Sequence, residues 1–152
     1  MSYLAPAEFV SKMIDAGESK VYMSTRDTLI RAGMAGAILS LTAVFAISAT
    51  VMSGSALVGA LLFPAGFCIL YLLGFDLLTG VFVLTPLAWL DKRPGVTIKG
   101  ILRNWGLVFT GNFVGALTVA FLMAFIFTFG FTVAPNEVGT KLGHIGEART
   151  LG

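Results

Sequence analysis

An acidic side chain stands alone in a long apolar stretch of this 152-residue chain. Asp76 is the only charged residue between Arg31 and Asp91, and it lies in the segment GFDLLTG at 74–80. An ionisable residue inside an apolar span is a functional-site candidate by default, because burying it is costly. Interrupted helices in transporters place helix N-termini at mid-membrane, where they attract anions. The segment is therefore a candidate functional loop, in which helix ends and loose backbone groups could bind a substrate.

A second interpretation of the same segment is structural. Pro64, Gly74 and Gly80 would only kink a packing helix, and neighbouring backbone N–H groups would satisfy the Asp76 carboxylate. In the functional interpretation, Asp76 and Thr79 supply side-chain hydrogen bonds that hold the loop in shape.

Two further patterns suggest helix contacts. Phe63 and Phe67 lie one helical turn apart, which fits a hydrophobic constriction and also fits ordinary packing or contact with lipid. Gly111 and Gly115 form a small-xxx-small ridge, with Asn112 beside it as an interhelical hydrogen bonder. This ridge indicates packing first.

Residue types needed for catalysis do not occur in recognisable patterns. The sequence has no paired carboxylates, Ser/His/Asp set, phosphate-binding glycine loop or metal-spaced His/Cys group, so we expect no enzyme activity, no catalytic residue, no metal and no cofactor. Cys68 is the only cysteine. Lys141 and His144 near the C-terminus could attract anions or carry protons, although such residues are usually just solvated.

The composition points to a bilayer as the partner of this chain. Hydrophobic residues make up 57% of it and charged residues only 12%, too few for the surface of a soluble domain. The net charge of +2 is scattered, so nucleic acid is not an expected partner.

Charge blocks define the predicted elements. Residues 1–31 form a cytoplasmic tail whose amphipathic helix, from Pro6 to about Ser24, lies on the membrane surface. The first span covers 32–53. The next apolar stretch, 56–90, would be about 52 Å long as one helix, too long for a single span, yet it is too short for two spans.

The positive-inside rule decides between these lengths. Both Lys/Arg-rich blocks that flank residues 32–90 should be cytoplasmic, so an even number of crossings separates them. The stretch 56–90 then crosses once, interrupted at 74–80. A third span covers 105–133 and leaves a tail, 134–152, on the outer side.

Three motifs occur in order along the chain: GFDLLTG at 74–80, RNWGLVFTGNFVGAL at 103–117 and TKLGH at 140–144. Together they resemble the formate/nitrite transporter family of bacterial inner-membrane anion channels. The resemblance implies an all-α membrane protein, the N-terminal half of an aquaporin-like inverted-repeat fold with a broken second transmembrane helix and a cytoplasmic N-terminus. It also implies a homopentamer in which each protomer has its own pore for a small monovalent anion such as formate or nitrite.

The resemblance also assigns roles to residues. Leu77 falls at the inner constriction, and Thr79 gives a hydroxyl to the central site. Phe63 falls at the outer constriction, with Phe67 one turn further in, where many members carry an aliphatic residue. Lys141 matches the outer-vestibule lysine. The remaining matched residues are the loop residues Asp76 and Leu78 and the structural residues Asn104, Gly111, Asn112 and Gly115.

Family members have six spans in two inverted halves, and this sequence matches the first three. The pore histidine belongs to the fifth span, and His144 does not match it. Three hypotheses stay open: half of an anion path, which is favoured, a non-transporting three-span protein or assembly partner, and a membrane subunit of an enzyme complex.

Overall fold

The computed structural model describes residues 5–151. Over this range it is helical, with no strand, and the predicted all-α class is confirmed. The helices within this range are α1 (Pro6–Tyr22), α2 (Thr25–Ser53), α3 (Ala56–Leu62), α4 (Pro64–Leu72), α5 (Leu78–Leu90), α6 (Ile98–Phe127) and α7 (Glu137–Thr150).

Helix α1 begins with Pro6, whose fixed φ suits a first helical residue, and it carries Glu8 in the first turn, where a negative charge is favoured. Its buried residues are Gly17 and Val21. Gly17 packs directly on the main-chain carbonyl of Leu84 in α5, closer than a side chain would allow. One face of α1, the helix predicted to lie on the membrane surface, therefore packs against α5 of the same chain.

Two helices have the length and hydropathy needed to cross a membrane. α2 has 29 residues and α6 has 30, both apolar, and each is about 45 Å long. The side chain of Ser24 caps α2, because its Oγ accepts the Asp27 N–H at 3.0 Å. α6 begins at Ile98, seven residues before the predicted start of the third span at 105.

The second apolar stretch is divided twice. Pro64 has no backbone N–H and starts a new helix after Phe63, which separates α3 from α4. A longer non-helical segment, residues 73–77, separates α4 from α5, and we call it the break. Gly74 within it has a φ of 70°, which favours glycine.

The break is shorter than predicted. The prediction placed an interruption at 74–80, but α5 already begins at Leu78, so Thr79 and Gly80 belong to its first turn. The predicted bounds make Gly80 the end of the loop. The Gly80 N–H instead donates to the Leu77 carbonyl at 3.0 Å, which is part of the helix start.

The described chain divides into two compact units. The first contains residues 5–35 and 75–113. Its buried apolar side chains form two clusters, and Trp105 packs against both. The members of the clusters are Val21, Ala88, Val96 and Ile101 in one, and Ala32, Val81 and Val108 in the other.

The second unit contains residues 36–74 and 114–151. Small residues let its helices approach closely: Gly59 packs on Ala46 and Thr50, and Gly66 packs on Thr42. In the predicted outer tail, Asn136 caps α7 by accepting the Gly139 N–H at 2.9 Å.

Candidate functional site

Asp76 is buried in the break with 2% of its surface exposed. Its Oδ1 pairs with the ammonium of Lys20, which comes from the last turn of α1. Within residues 5–151, Asp76 Oδ2 has no hydrogen-bond donor. A buried charge is tolerated when it is paired, so Lys20 explains how Asp76 can be kept here.

Asn112 of α6 holds the backbone next to Asp76. Its Nδ2 donates to the carbonyl oxygens of Ala32 and Asp76, each at 2.8 Å, and its Oδ1 accepts the Leu78 N–H at 2.9 Å. Asn112 was predicted to hydrogen bond between helices, and its side chain joins α6 to α2, to the break and to the start of α5. The break is thus fixed by a side chain that lies far away in the sequence.

Two neighbours of Asn112 on the same helix tie down other parts of the first unit. Asn104 is fully buried, and its Nδ2 donates to the Lys20 carbonyl at 3.0 Å. Trp105 Nε1 donates to Thr85 Oγ1 at 3.0 Å and to the Val81 carbonyl at 3.2 Å. Helix α6 therefore holds both α1 and α5 through polar side chains.

The loop residues expected to meet a substrate differ in exposure. Leu77 is half-buried, has an extended backbone (φ −99°, ψ 138°) and occupies the N-cap position of α5. Leu78 is half-buried, and Thr79 in the first helical turn is exposed. The N-terminal end of α5 carries the partial positive charge of the helix dipole, which favours an anion.

Phe63 and Phe67 lie in the second unit on either side of the helix start at Pro64. Their rings pack edge to face with centroids 5.6 Å apart, and both residues are half-buried. The pair is therefore formed, as the one-turn spacing suggested. Whether it constricts a path stays a prediction.

The residues predicted for the outer side lie on α7. Lys141 and His144 are both exposed, and His144 Nδ1 lies 3.9 Å from a Glu147 carboxylate oxygen. The predicted glycine ridge of α6 is buried at Gly111 and Gly115. Gly111 packs against Ala32 of α2.

An ionic cluster, which the sequence did not indicate, joins α1 to the segment between α5 and α6. Arg93 lies 2.7 Å from Asp15, 2.9 Å from Asp91 and 3.5 Å from Glu18. The hydrogen bond to Asp91 is the main cause that raises the pKa of Arg93, and the charges of Asp15, Asp91 and Glu18 add to it. Arg93 therefore stays charged at any physiological pH.

A groove of about 520 Å³ runs along the second unit between α2, α6 and α7. Much of its lining is small and apolar, which would admit the backbone of another helix. Small residues in the lining include Ser40, Ala43, Ala116, Ala120, Ala124 and Gly143.

Lys20 is the residue of this site that sequence reasoning missed. The available signal was its position: Lys20 lies three residues after Gly17 and directly before Val21, on the face of α1 that turns out to be buried. A lysine on a buried face needs an acid, and Asp76 was the one acid of the apolar region.

Among residues 5–151, no group of three His, Cys, Asp or Glu side chains lies close enough together to hold a metal ion. A sequence profile described as "Formate/nitrite transporter" matches residues 7–151. No solved structure matches the chain significantly.

Curated relatives are similar over much of this chain. An uncharacterized transporter, YrhG, of Bacillus subtilis is 29% identical over 93% of this chain and 53% of its own length. The formate channel BtFdhC of Bacillus thuringiensis is 30% identical over 80% of this chain and 48% of its own length. The formate channel FocA of Escherichia coli is 33% identical over 79% and 43%. The chain thus spans about half the length of the curated relatives it matches.

Proposed function

Because the chain belongs to the formate/nitrite transporter family, we propose that it supplies part of a path for small monovalent anions, with formate as the first substrate to test. The family is one of membrane transport proteins and not an enzyme class. The two long apolar helices fit a membrane protein. The observation that carries the proposal is the break, where a helix starts inside an apolar stretch next to an Asp76 carboxylate that Lys20 of α1 neutralises.

The start of α5 gives the break its proposed chemistry. An anion that enters an apolar passage loses hydration, which is costly unless polar groups replace the water. The first turn of α5 offers the positive end of a helix dipole together with the exposed Thr79 hydroxyl. Leu77 makes the neighbouring wall apolar, whereas Leu78 packs against the cluster of Ala32, Val81 and Val108. An anion must be small to pass the apolar wall and still reach the polar groups.

Asp76 has a structural part in this proposal. Its carboxylate would repel an anion if it were free, but Lys20 neutralises it. The pair keeps the charge of the break near zero and leaves the start of α5 as the attractive feature. Asp76 therefore shapes the loop and does not bind the substrate.

The remaining predicted residues complete the proposal. Phe63 and Phe67 narrow the outer part of the path, and Lys141 raises the local anion concentration on the outer side. Nitrite is a second substrate. The protein lies in the bacterial inner membrane with its N-terminus on the cytoplasmic side. Each protomer is an aquaporin-like half that joins a second half, and the complete protomers assemble as pentamers.

Uptake into liposomes tests this function. The protein is purified in mild detergent with the polypeptides that stay bound to it, reconstituted, and exposed to a formate gradient. We expect formate uptake above that of protein-free vesicles, and Thr79→Val should lower it about tenfold through the loss of one hydrogen bond to the anion. Thr118→Val is the matched control, because Thr118 is an exposed α6 residue whose hydroxyl donates to the Val114 carbonyl of its own helix.

Equal uptake by the wild-type protein and a Thr79→Val/Lys141→Ala double variant would contradict the residue assignment. Uptake no greater than in protein-free vesicles would contradict the function itself. Added nitrite should compete with formate uptake in the reconstituted samples if nitrite is a second substrate.

The groove along α2, α6 and α7 favours one alternative function. Its small-residue lining fits an assembly partner whose role is to bind other membrane helices. A protein of this kind would form stable oligomers in detergent and carry neither formate nor nitrite under any gradient.

A further inference from the structure

Asn112 uses its whole side-chain amide on main-chain groups. The Nδ2 group has two hydrogens, and they go to the carbonyl oxygens of Ala32 and Asp76, both at 2.8 Å. The Oδ1 accepts the N–H of Leu78 at 2.9 Å. All three distances lie within the normal range for strong hydrogen bonds.

Two of these bonds hold the peptide groups on either side of Leu77. The Asp76 carbonyl belongs to the peptide bond that precedes Leu77, and the Leu78 N–H belongs to the one that follows it. A backbone has two soft dihedral angles per residue, so fixing both flanking peptides fixes φ and ψ of Leu77. The direction in which the Leu77 Cα–Cβ bond points is then set by Asn112 of α6.

The residues of the break do not themselves hold the two peptide groups that flank Leu77. Leu77 is the N-cap of α5 but cannot cap the helix, and no side-chain hydrogen bond from an N-cap residue is formed there. Leu78 is the first residue of α5, so its N–H has no acceptor within its own helix. Asn112 supplies the missing cap from another helix.

Few side chains could replace this amide. Aspartate keeps the acceptor for Leu78 but loses both donors, and glutamine adds one methylene that displaces the amide. Alanine leaves the Asp76 carbonyl and the Leu78 N–H without their partner. The third bond, to Ala32, ties the amide itself to α2, so the side chain cannot follow the break if the break moves.

We propose that Asn112 is the positioning residue that sets the direction of Leu77 and thereby the size of anion that passes the break. This inference rests on the proposed function, in which Leu77 forms the apolar wall next to Thr79. Asn112 does not touch the substrate in this scheme. It acts through Leu77, and its loss widens the range of anions accepted and does not simply abolish uptake.

Asn104 is a matched control for Asn112. It is also an asparagine of α6, it is fully buried, and its Nδ2 also bonds a main-chain carbonyl, that of Lys20. Its bond holds α1 and does not hold the peptides next to Leu77. A purely structural contribution would therefore appear in both asparagine variants, and a change in selectivity only in Asn112.

The experiment measures selectivity and local protection. Liposome uptake of formate and of acetate, which carries a methyl group where formate has a hydrogen, gives a ratio that does not depend on the amount of active protein. Hydrogen exchange followed by mass spectrometry reports the amides at the start of α5. We expect Asn112→Ala to raise the acetate-to-formate ratio at least threefold and to speed exchange at Leu78 about tenfold, for the loss of one hydrogen bond.

Asn104→Ala should leave both readings at the wild-type level even if it lowers the melting temperature. Leu77→Ala should raise the ratio as Asn112→Ala does, and the double variant should add little. If Asn112→Ala does not fold, Asn112→Ser takes its place, since its hydroxyl is too short to bridge the three main-chain groups.

The outcomes separate the two proposals. If wild-type protein carries formate and Asn112→Ala leaves the ratio unchanged, the positioning role is wrong and the proposed function stands. If wild-type protein carries neither anion, the proposed function fails, and with it the selectivity role. Unchanged exchange at Leu78 in Asn112→Ala overturns the positioning role whatever the uptake results are.

Discussion

Lys20 of α1 pairs its ammonium with the carboxylate of Asp76, and this pair connects the first helix of the chain to the break inside an apolar stretch. The two partners are buried unequally, because the Lys20 side chain is 15% exposed and that of Asp76 only 1%. Removing either partner leaves the other charge in a place that water reaches poorly.

The loss of unfolding free energy should therefore be smaller in the double variant of this pair than the two single losses added together. Lys20→Met should cost about 4 kcal/mol of unfolding free energy and Asp76→Asn about 3 kcal/mol, since the more buried charge suffers more from losing its partner. The double variant should lose less than the sum of the two. The measurement is unfolding by SDS titration from mild detergent, with Asp15→Asn as control, because Asp15 is an exposed partner of Arg93. Additive losses would show that the pair makes no net interaction.

The indole N–H of Trp105 should contribute to stability in addition to the packing of its ring. Trp105→Phe keeps an aromatic ring next to Phe82 but removes the donor to Thr85 and Val81, and should cost about 1–2 kcal/mol. Trp89→Phe, at an exposed position, should change the free energy by less than about 0.5 kcal/mol. Equal melting temperatures for the two variants in detergent would contradict this prediction.

Two glycine-to-alanine substitutions should change the stability of the protein in opposite directions. At Gly17 a Cβ would meet the Leu84 main chain, so Gly17→Ala should push α1 away from α5 and cost about 2–3 kcal/mol. At Gly106, within α6, a Cβ meets nothing within 4 Å, and Gly106→Ala should stabilise the helix by up to about 1 kcal/mol. Thermal unfolding of both variants provides the check, and a stabilised Gly17→Ala would mean that α1 does not pack as described.

The Arg93 cluster should contribute the same amount to the stability of the protein at every physiological pH. The hydrogen bond with Asp91 raises the pKa of Arg93. A raised pKa on a base gives stability that is complete below the unfolded-state value and is lost only as pH rises through the folded-state value, and both lie far above pH 9. Arg93→Gln should therefore lower the melting temperature by the same small amount at pH 7 and pH 9.

Salt should weaken the effect of Arg93→Gln, because the cluster is close to solvent. Lys99→Gln, an exposed lysine of the same region, serves as the control. A loss seen at pH 7 and absent at pH 9 would mean that a different group titrates.

Lys141 should change the concentration dependence of uptake more than the maximum rate. Under the proposed function, Lys141→Ala should raise the formate concentration for half-maximal uptake about threefold at low salt, by removing electrostatic attraction. Arg149→Ala on the same helix α7 is the control for a general loss of charge. Equal shifts in the two variants, or a shift that persists in high salt, would remove the specific role of Lys141.

The sequence indicated the architecture of this chain better than it indicated the contacts. Apolar lengths, charge blocks and the lone Asp76 were sufficient to predict an all-helical membrane protein with an interrupted second apolar stretch. The end of the break was predicted three residues too late, because Gly80 was interpreted as a loop residue and not as part of a helical turn.

The partners of the break could not be predicted in the same way. Asn112 was recognised as a hydrogen bonder, but its acceptors are backbone carbonyls, and every residue has one. The pairing of Lys20 with Asp76 depends on how α1 packs on α5, and the sequence alone does not show which face of α1 this packing buries. Sequence patterns reveal which side chains need partners, whereas packing decides which partners they find.

The origin of the bonds that hold the break has a consequence for how the protein is made. A ribosome synthesises the break before it synthesises Asn112, so the Asp76 carbonyl and the Leu78 N–H enter the insertion machinery without their later partner. Unsatisfied backbone groups are costly in lipid, so this segment should remain in a hydrated channel until α6 arrives. The interruption therefore couples the membrane integration of the second apolar stretch to the third, and these helices should leave the translocon together.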